Sequence, residues 1–231
     1  MRALALAAAI GVGLVATAAY AGPWSDPAGR VNFTAPNGWV TDVRRDNPQT
    51  IVLSGNANNE CYVLGTPNPN TASNTPIALK RATNPITPEA WTATANAISP
   101  MFPNHNAHLE TQTVDTTTGF WPIQRATFSG GEQPVMAALT SRPGVDLIAF
   151  CWTYGGPDAT ATYERLFASL GNNNDAQWQQ RAEQQETEQA AAQAAAAAAA
   201  AQQPATQAQQ PNQAAEPPRT MNDPRSRRRH N

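Results

Sequence analysis

The residues of this chain best suited to chemistry are His105 and His108, with Glu110 two positions on, and the two cysteines Cys61 and Cys151. Two imidazoles and a carboxylate so close together are the one group with the look of a metal site. They are weak candidates, because a structural site wants four ligands held in place. Asn104 and Asn106 mark the same stretch as an exposed turn after Pro103, which fixes no coordination geometry. Serine catalysis has no support, since Ser54-Gly55 and Ser129-Gly130-Gly131 lack the flanking pattern of a nucleophile elbow. A glycosidase-like pair can be drawn from Glu60, Glu89, Glu110 and Glu132, but only a fixed separation between two carboxyls gives such a pair meaning. Gly155-Gly156 runs into Pro157 without a lysine, so no phosphate-cradling loop is present. The expectation is a protein with no catalytic residue and no cofactor.

Cys61 and Cys151 each lie inside an apolar run with strand character, and an even cysteine count in an exported chain reads as one disulfide. Two buried free thiols are the other structural reading. A reactive thiol paired with His105 or His108 would need a C-x-x-C spacing or a positive neighbour to lower its pKa, and neither stands beside it. The tryptophans Trp24, Trp39, Trp91, Trp121, Trp152 and Trp178 are read as core, because each can bury 150–250 Å². Trp178 differs: on a polar segment past the domain, it either folds back or faces a partner.

Export is read from the start of the chain. Arg2, the apolar run Leu4 to Val15 and the small-residue sequence Ala19-Tyr20-Ala21 form a secretory signal peptide over residues 1–21, cleaved after Ala21. No later segment has the roughly 20 apolar residues that span a bilayer, and no cysteine follows the run to carry a lipid. The expected location is periplasmic or secreted. Net charge over the 231 residues is −2, and residues 22–171 carry 8 Lys and Arg against 11 Asp and Glu, an ordinary solvated surface. Arg44-Arg45 and Lys80-Arg81 are isolated pairs, which argues against a nucleic-acid partner.

Elements that would position these residues can be read along the chain. Val31 and Phe33 alternate with polar neighbours, and Pro36-Asn37-Gly38 turns the chain into a second strand from Trp39 to Val43. Ile51 to Leu53 and Cys61 to Leu64 form a hairpin of strands buried on both faces. The stretch Gly65 to Pro76, rich in Asn, Thr and Pro, is expected to be an exposed loop. Thr87-Pro88-Glu89 starts a helix whose Trp91, Ala95 and Ile98 share one face, ending at Ser99 before Pro100. Strands follow over Leu109–Val114, Phe120–Phe128, Val135–Thr140 and Val145–Tyr154, the last two joined tightly through Arg142-Pro143-Gly144. Asp158 is expected to cap a helix burying Tyr163, Leu166, Phe167 and Leu170, with Gly171 left-handed at its end. Two groups of strands, each followed by a helix, define an α+β domain over residues 22–171, its sheet largely antiparallel and flanked by helices.

This order of elements resembles the PsbP-like family, α-β-α sandwiches around an antiparallel sheet. The resemblance rests on Phe33-Thr34-Ala35-Pro36-Asn37-Gly38-Trp39, the strand Gly130 to Leu139, the long strand to Trp152, and the run Tyr163 to Leu170. It covers roughly residues 31–171. What it implies is a non-enzymatic binding or assembly module, with no shared catalytic residues to carry over.

Beyond the domain, Asp175 is expected to cap an Ala/Gln-rich helical segment over residues 172–203, running through Trp178 into the tract Ala190 to Ala201. With no wide apolar face, it should project or fray. Residues 204–231, dominated by Gln, Pro, Ala and Asn, cannot bury enough apolar surface to order and form a disordered tail with a basic end. There Arg225, Arg227, Arg228 and Arg229 offer peripheral contact with an anionic surface such as phospholipid headgroups. The leading expectation is an exported, non-enzymatic module acting on an unidentified protein or cell-envelope partner. An envelope tether working through the basic tail, and a small hydrolase or metal-binding protein, are the alternatives.

Overall fold

The structure, a computed structural model, describes residues 22–45, 49–98, 108–129, 134–155 and 157–202. The expected signal peptide, His105, Ser99, Glu132 and the tail arginines Arg225, Arg227, Arg228 and Arg229 lie outside them. The chain divides into two compact units, residues 1–188 and 189–231. Among the described residues, the second unit is the later part of one long helix, through Ala201.

The first unit is the expected α+β fold. Its strands are β1 (Pro23–Ser25), β2 (Asn32–Thr34), β3 (Val40–Arg45), β4 (Thr50–Gly55), β5 (Asn59–Pro67), β6 (His108–Asp115), β7 (Ile123–Ser129), β8 (Val135–Arg142) and β9 (Val145–Thr153). Its helices are α1 (Pro76–Lys80), α2 (Pro88–Ile98), α3 (Thr160–Ala168) and the start of α4 (Asp175–Ala201). Seven strands form one antiparallel sheet in the order β3-β4-β5-β9-β8-β7-β6, and β1 pairs with β2 separately.

Side-chain alternation explains the layers. On β9, Leu147, Ala149 and Cys151 face one way and Ile148, Phe150 and Trp152 the other, and all six are buried. The first set joins Val31 and Phe33 with Tyr163, Leu166 and Phe167 of α3 and Leu170 just beyond it. The second packs with Trp91 and Ala95 of α2, where Trp91 meets Phe128 edge-on at 5.9 Å. Helices thus cover both faces of the sheet. Cys61 and Cys151 sit directly opposite each other on β5 and β9, both buried, and are joined by a disulfide.

The strand, turn and second strand expected around Pro36-Asn37-Gly38 are present, with β2 paired to β1. The turn, with Gly38 at φ 78°, sends the chain between layers, while Thr34 N–H bonds Ser169 Oγ at 2.9 Å and holds β2 beside the end of α3. Several local readings are corrected. Gly65 to Pro76 is not all loop: β5 runs to Pro67, Asn68 Nδ2 donates to Asp146 at 2.7 Å, and Thr75 caps the short α1. Asp158 is not the cap of α3. Ala159 holds that position, and Asp158 Oδ1 accepts the Thr160 N–H at 2.9 Å instead. Gly171 is not left-handed. It pairs with Asn32 in both directions, at 2.8 and 2.9 Å, so closely that any Cβ there would collide with Asn32 Oδ1.

Asp175 is likewise not a cap but the first residue of α4, and α4 does not simply project. Within the first unit, Trp178 meets Trp121 edge-on at 6.4 Å, Ala182 is fully buried, and Glu186 pairs with Lys80 at 3.0 Å. One aromatic, one alanine and ion pairs substitute for the wide apolar stripe the sequence lacks. The anchor is Arg142. Its Nε donates to Asp175 Oδ1 at 2.7 Å, its other nitrogens reach Thr140 Oγ1 and the Leu170 carbonyl, and its guanidinium lies 4.6 Å from the Trp121 ring centre. Burial pushes the Arg142 guanidinium below its ordinary pKa, and the Asp175 carboxylate opposes that shift and keeps the charge.

Candidate binding groove

A groove of about 540 Å³ opens at one end of the sheet, where three turns meet: the one before β3, the one joining β4 to β5, and the one leading into α3. Each is shaped by its own residues. In the β4–β5 turn, Asn56 N–H bonds the Asn59 carbonyl at 2.8 Å, and Asn56 Oδ1 accepts the N–H groups of Asn58 and Asn59 at 2.9 Å. This is an Asx-type turn, in which the side-chain oxygen substitutes for a backbone carbonyl. Asn59 Oδ1 accepts the Tyr163 hydroxyl at 2.9 Å, and Tyr163 meets Trp39 edge-on at 6.3 Å. Both amide oxygens are used to hold the frame. The amide nitrogens of Asn56 and Asn59 are therefore the ends left to meet a ligand.

Across the groove stand Asp158, just before α3, and Thr162 and Arg165 along it. Arg165 donates to Thr162 Oγ1 at 3.2 Å. Hydrogen bonds from the Thr160 hydroxyl and N–H hold the Asp158 carboxyl below the usual carboxylate range. Burial, with the nearby Asp158 charge, pushes the Tyr163 hydroxyl up to about 12, so it remains a neutral donor to Asn59. The groove offers hydrogen-bond donors, one cation, one anion and the rim of Trp39, a lining for holding a polar ligand.

The sequence-derived candidates lie elsewhere. His108 opens β6 opposite Ser129 and is exposed, as is Glu110 on the same strand. Among the described residues no three His, Cys, Asp or Glu side chains gather as metal ligands. Glu60 on β5 and Glu110 on β6 are separated by β9, β8 and β7. Glu60 instead accepts the Tyr154 hydroxyl, and burial together with that carboxylate pushes Tyr154 up to about 12. Of the six tryptophans, Trp39, Trp91, Trp121 and Trp152 are buried, Trp24 lies tilted against Phe33 with ring centres 5.3 Å apart, and Trp178 folds back. Asn56, Asn59 and Arg165 were not singled out by sequence. The one signal for the two asparagines was the Gly- and Asn-containing spacer of the hairpin, Ser54 to Glu60, and Arg165 had none.

No protein-family model and no curated protein matches this chain. Among solved structures, it is similar to the solution structure of cyanobacterial PsbP (CyanoP) from Synechocystis sp. PCC 6803. The two are 17% identical, with a TM-score of 0.47 over 72% of this chain and 98% of the other.

Proposed function

We propose that this protein is an exported, non-enzymatic binding or assembly module that holds a protein or cell-envelope partner in the groove between the β4–β5 turn and α3. The observation that carries this reading is the groove's lining: frame-locked asparagines, a paired arginine and an aspartate kept ionised by its own turn. Such groups recognise polar surfaces through directed hydrogen bonds and give specificity. The buried Cys61–Cys151 disulfide supports an oxidising destination, periplasmic or secreted. Among the described residues no helix is long and apolar enough to cross a membrane.

Photo-cross-linking tests the reading. A photoreactive residue replacing Thr162, in the groove, is compared with one replacing Glu110, on the far edge of the sheet. The expected result is a discrete protein adduct from the Thr162 position alone. Equal capture from both positions, or none from the groove, would overturn it.

A further inference from the structure

Among the described residues, two of the three exposed large hydrophobic side chains, Val40 at 68% and Val43 at 43%, lie on β3, an edge strand of the seven-stranded sheet. Which backbone groups that edge presents follows from the hydrogen-bond alternation of antiparallel strands. The Asn56 N–H to Asn59 carbonyl bond makes this a bonded pair, so Ser54 and Cys61, two positions further along, bond each other as well. The Cα separation of 4.1 Å between Cys61 and Cys151 agrees, since it marks a non-bonded pair and turns the Cys61 backbone toward β4. Ser54 therefore points its N–H and C=O away from β3. Thr41, opposite Ser54, and Val43, two residues on, direct theirs outward to solvent. The 3.1 Å contact between the Thr41 and Ser54 hydroxyls fits the closer spacing of a non-bonded pair.

We propose that β3 is a self-complementary interface through which two copies of this chain pair antiparallel, edge to edge, into a dimer with twofold symmetry. Such an interface places the same patch on both subunits. Charge fixes the register. With Val43 facing the partner's Val43, Asp42 faces the partner's Arg44, while each Asp42 already holds its own Arg44 at 3.0 Å. The four charges then alternate in sign around the twofold axis. A register shifted to bring Thr41 opposite the partner's Val43 sets the two Asp42 carboxylates face to face, and like charges directly opposite are destabilising. The bulge at Arg44, where the partners on β4 jump from Val52 to Ile51, turns the backbone of Arg45 back toward β4, so the pairing edge is short and does not run on into an open-ended sheet.

Sedimentation velocity on the full chain over a concentration series tests this, with circular dichroism reporting the fold of each variant. The wild type is expected to show a concentration-dependent dimer. Val43→Pro removes an outward N–H without touching the β3–β4 ladder and should leave a folded monomer. Asp42→Arg should weaken association at least about tenfold through like-charge contact. The swap Asp42→Arg with Arg44→Asp should restore it, a recovery that a merely misfolded edge would not give. A wild type that stays monomeric throughout the series, a dimer that survives Val43→Pro, or a swap that fails to rescue would each overturn the proposal.

Discussion

Replacing Asp175 by serine separates two roles for that residue by their size. As a helix cap, Asp175 would be substituted well by serine, and even loss of a cap typically costs only about 1 kcal/mol. As the partner of a buried guanidinium, it has no substitute. The Arg142 side chain is 3% exposed and the Asp175 side chain 18%, at 2.7 Å. Removing one member of such a pair leaves a charge buried without compensation, at about 3–5 kcal/mol. For a domain of this size that lowers Tm by roughly 6–20 °C. Replacing both members, as Arg142→Met with Asp175→Ser, should cost clearly less than the sum of the two single changes, because no stranded charge remains. Urea unfolding followed by tryptophan fluorescence measures all three variants. A loss below about 1 kcal/mol for Asp175→Ser, or full additivity in the double variant, would refute the reasoning.

Further consequences are measurable in the same way. Replacing both Cys61 and Cys151 by alanine releases a loop of 90 residues, and chain entropy sets the loss near 4.6 kcal/mol, an upper figure if the unfolded chain keeps structure; equal unfolding midpoints for the two proteins would contradict this. Gly171→Ala should lower Tm, since its Cβ meets Asn32 Oδ1, and relieving the clash breaks the paired bonds between the two residues at a cost of about 1–3 kcal/mol. Burial pushes the Asp26 carboxyl up, but bonds from the Arg30 N–H, the Thr50 hydroxyl and the Ala28 N–H outweigh it and leave its pKa below the ordinary value. The folded pKa is depressed, so its stabilisation is complete above about pH 5 and is lost as pH falls below about 4. Acid titration of stability should therefore show the gap between wild type and Asp26→Asn closing as pH drops through that range, and a gap constant with pH would contradict it.

The parts of the fold most legible in sequence were those with strong local patterning. The runs at Val145–Tyr154 and Cys61–Leu64 are apolar on both faces because helices cover both sides of the central strands. The disulfide was legible because its cysteines sit inside those runs. Asp175 was misread because a carboxylate opening a helix has the same local pattern whether it caps the turn or reaches an arginine 33 residues away. The three-residue β1 and five-residue α1 are too short to carry a period. The groove was illegible for a different reason. Its residues come from two turns, around positions 36–39 and 56–59, and from the entry and outer face of α3 at 157–166, stretches readable separately only as turns or as a helix, and only the fold brings them together.

The central claim is that recognition resides in the folded unit rather than in the tail. A chain ending at Gly171 would not test it, since it removes Asp175 and strands Arg142. The direct measurement repeats the Thr162 photo-cross-linking with a chain ending at Glu188, the boundary of the first unit, beside the full chain. The account predicts the same adduct in the same yield from both. Loss of the adduct on removing residues 189–231 would contradict it and move the function to the basic tail.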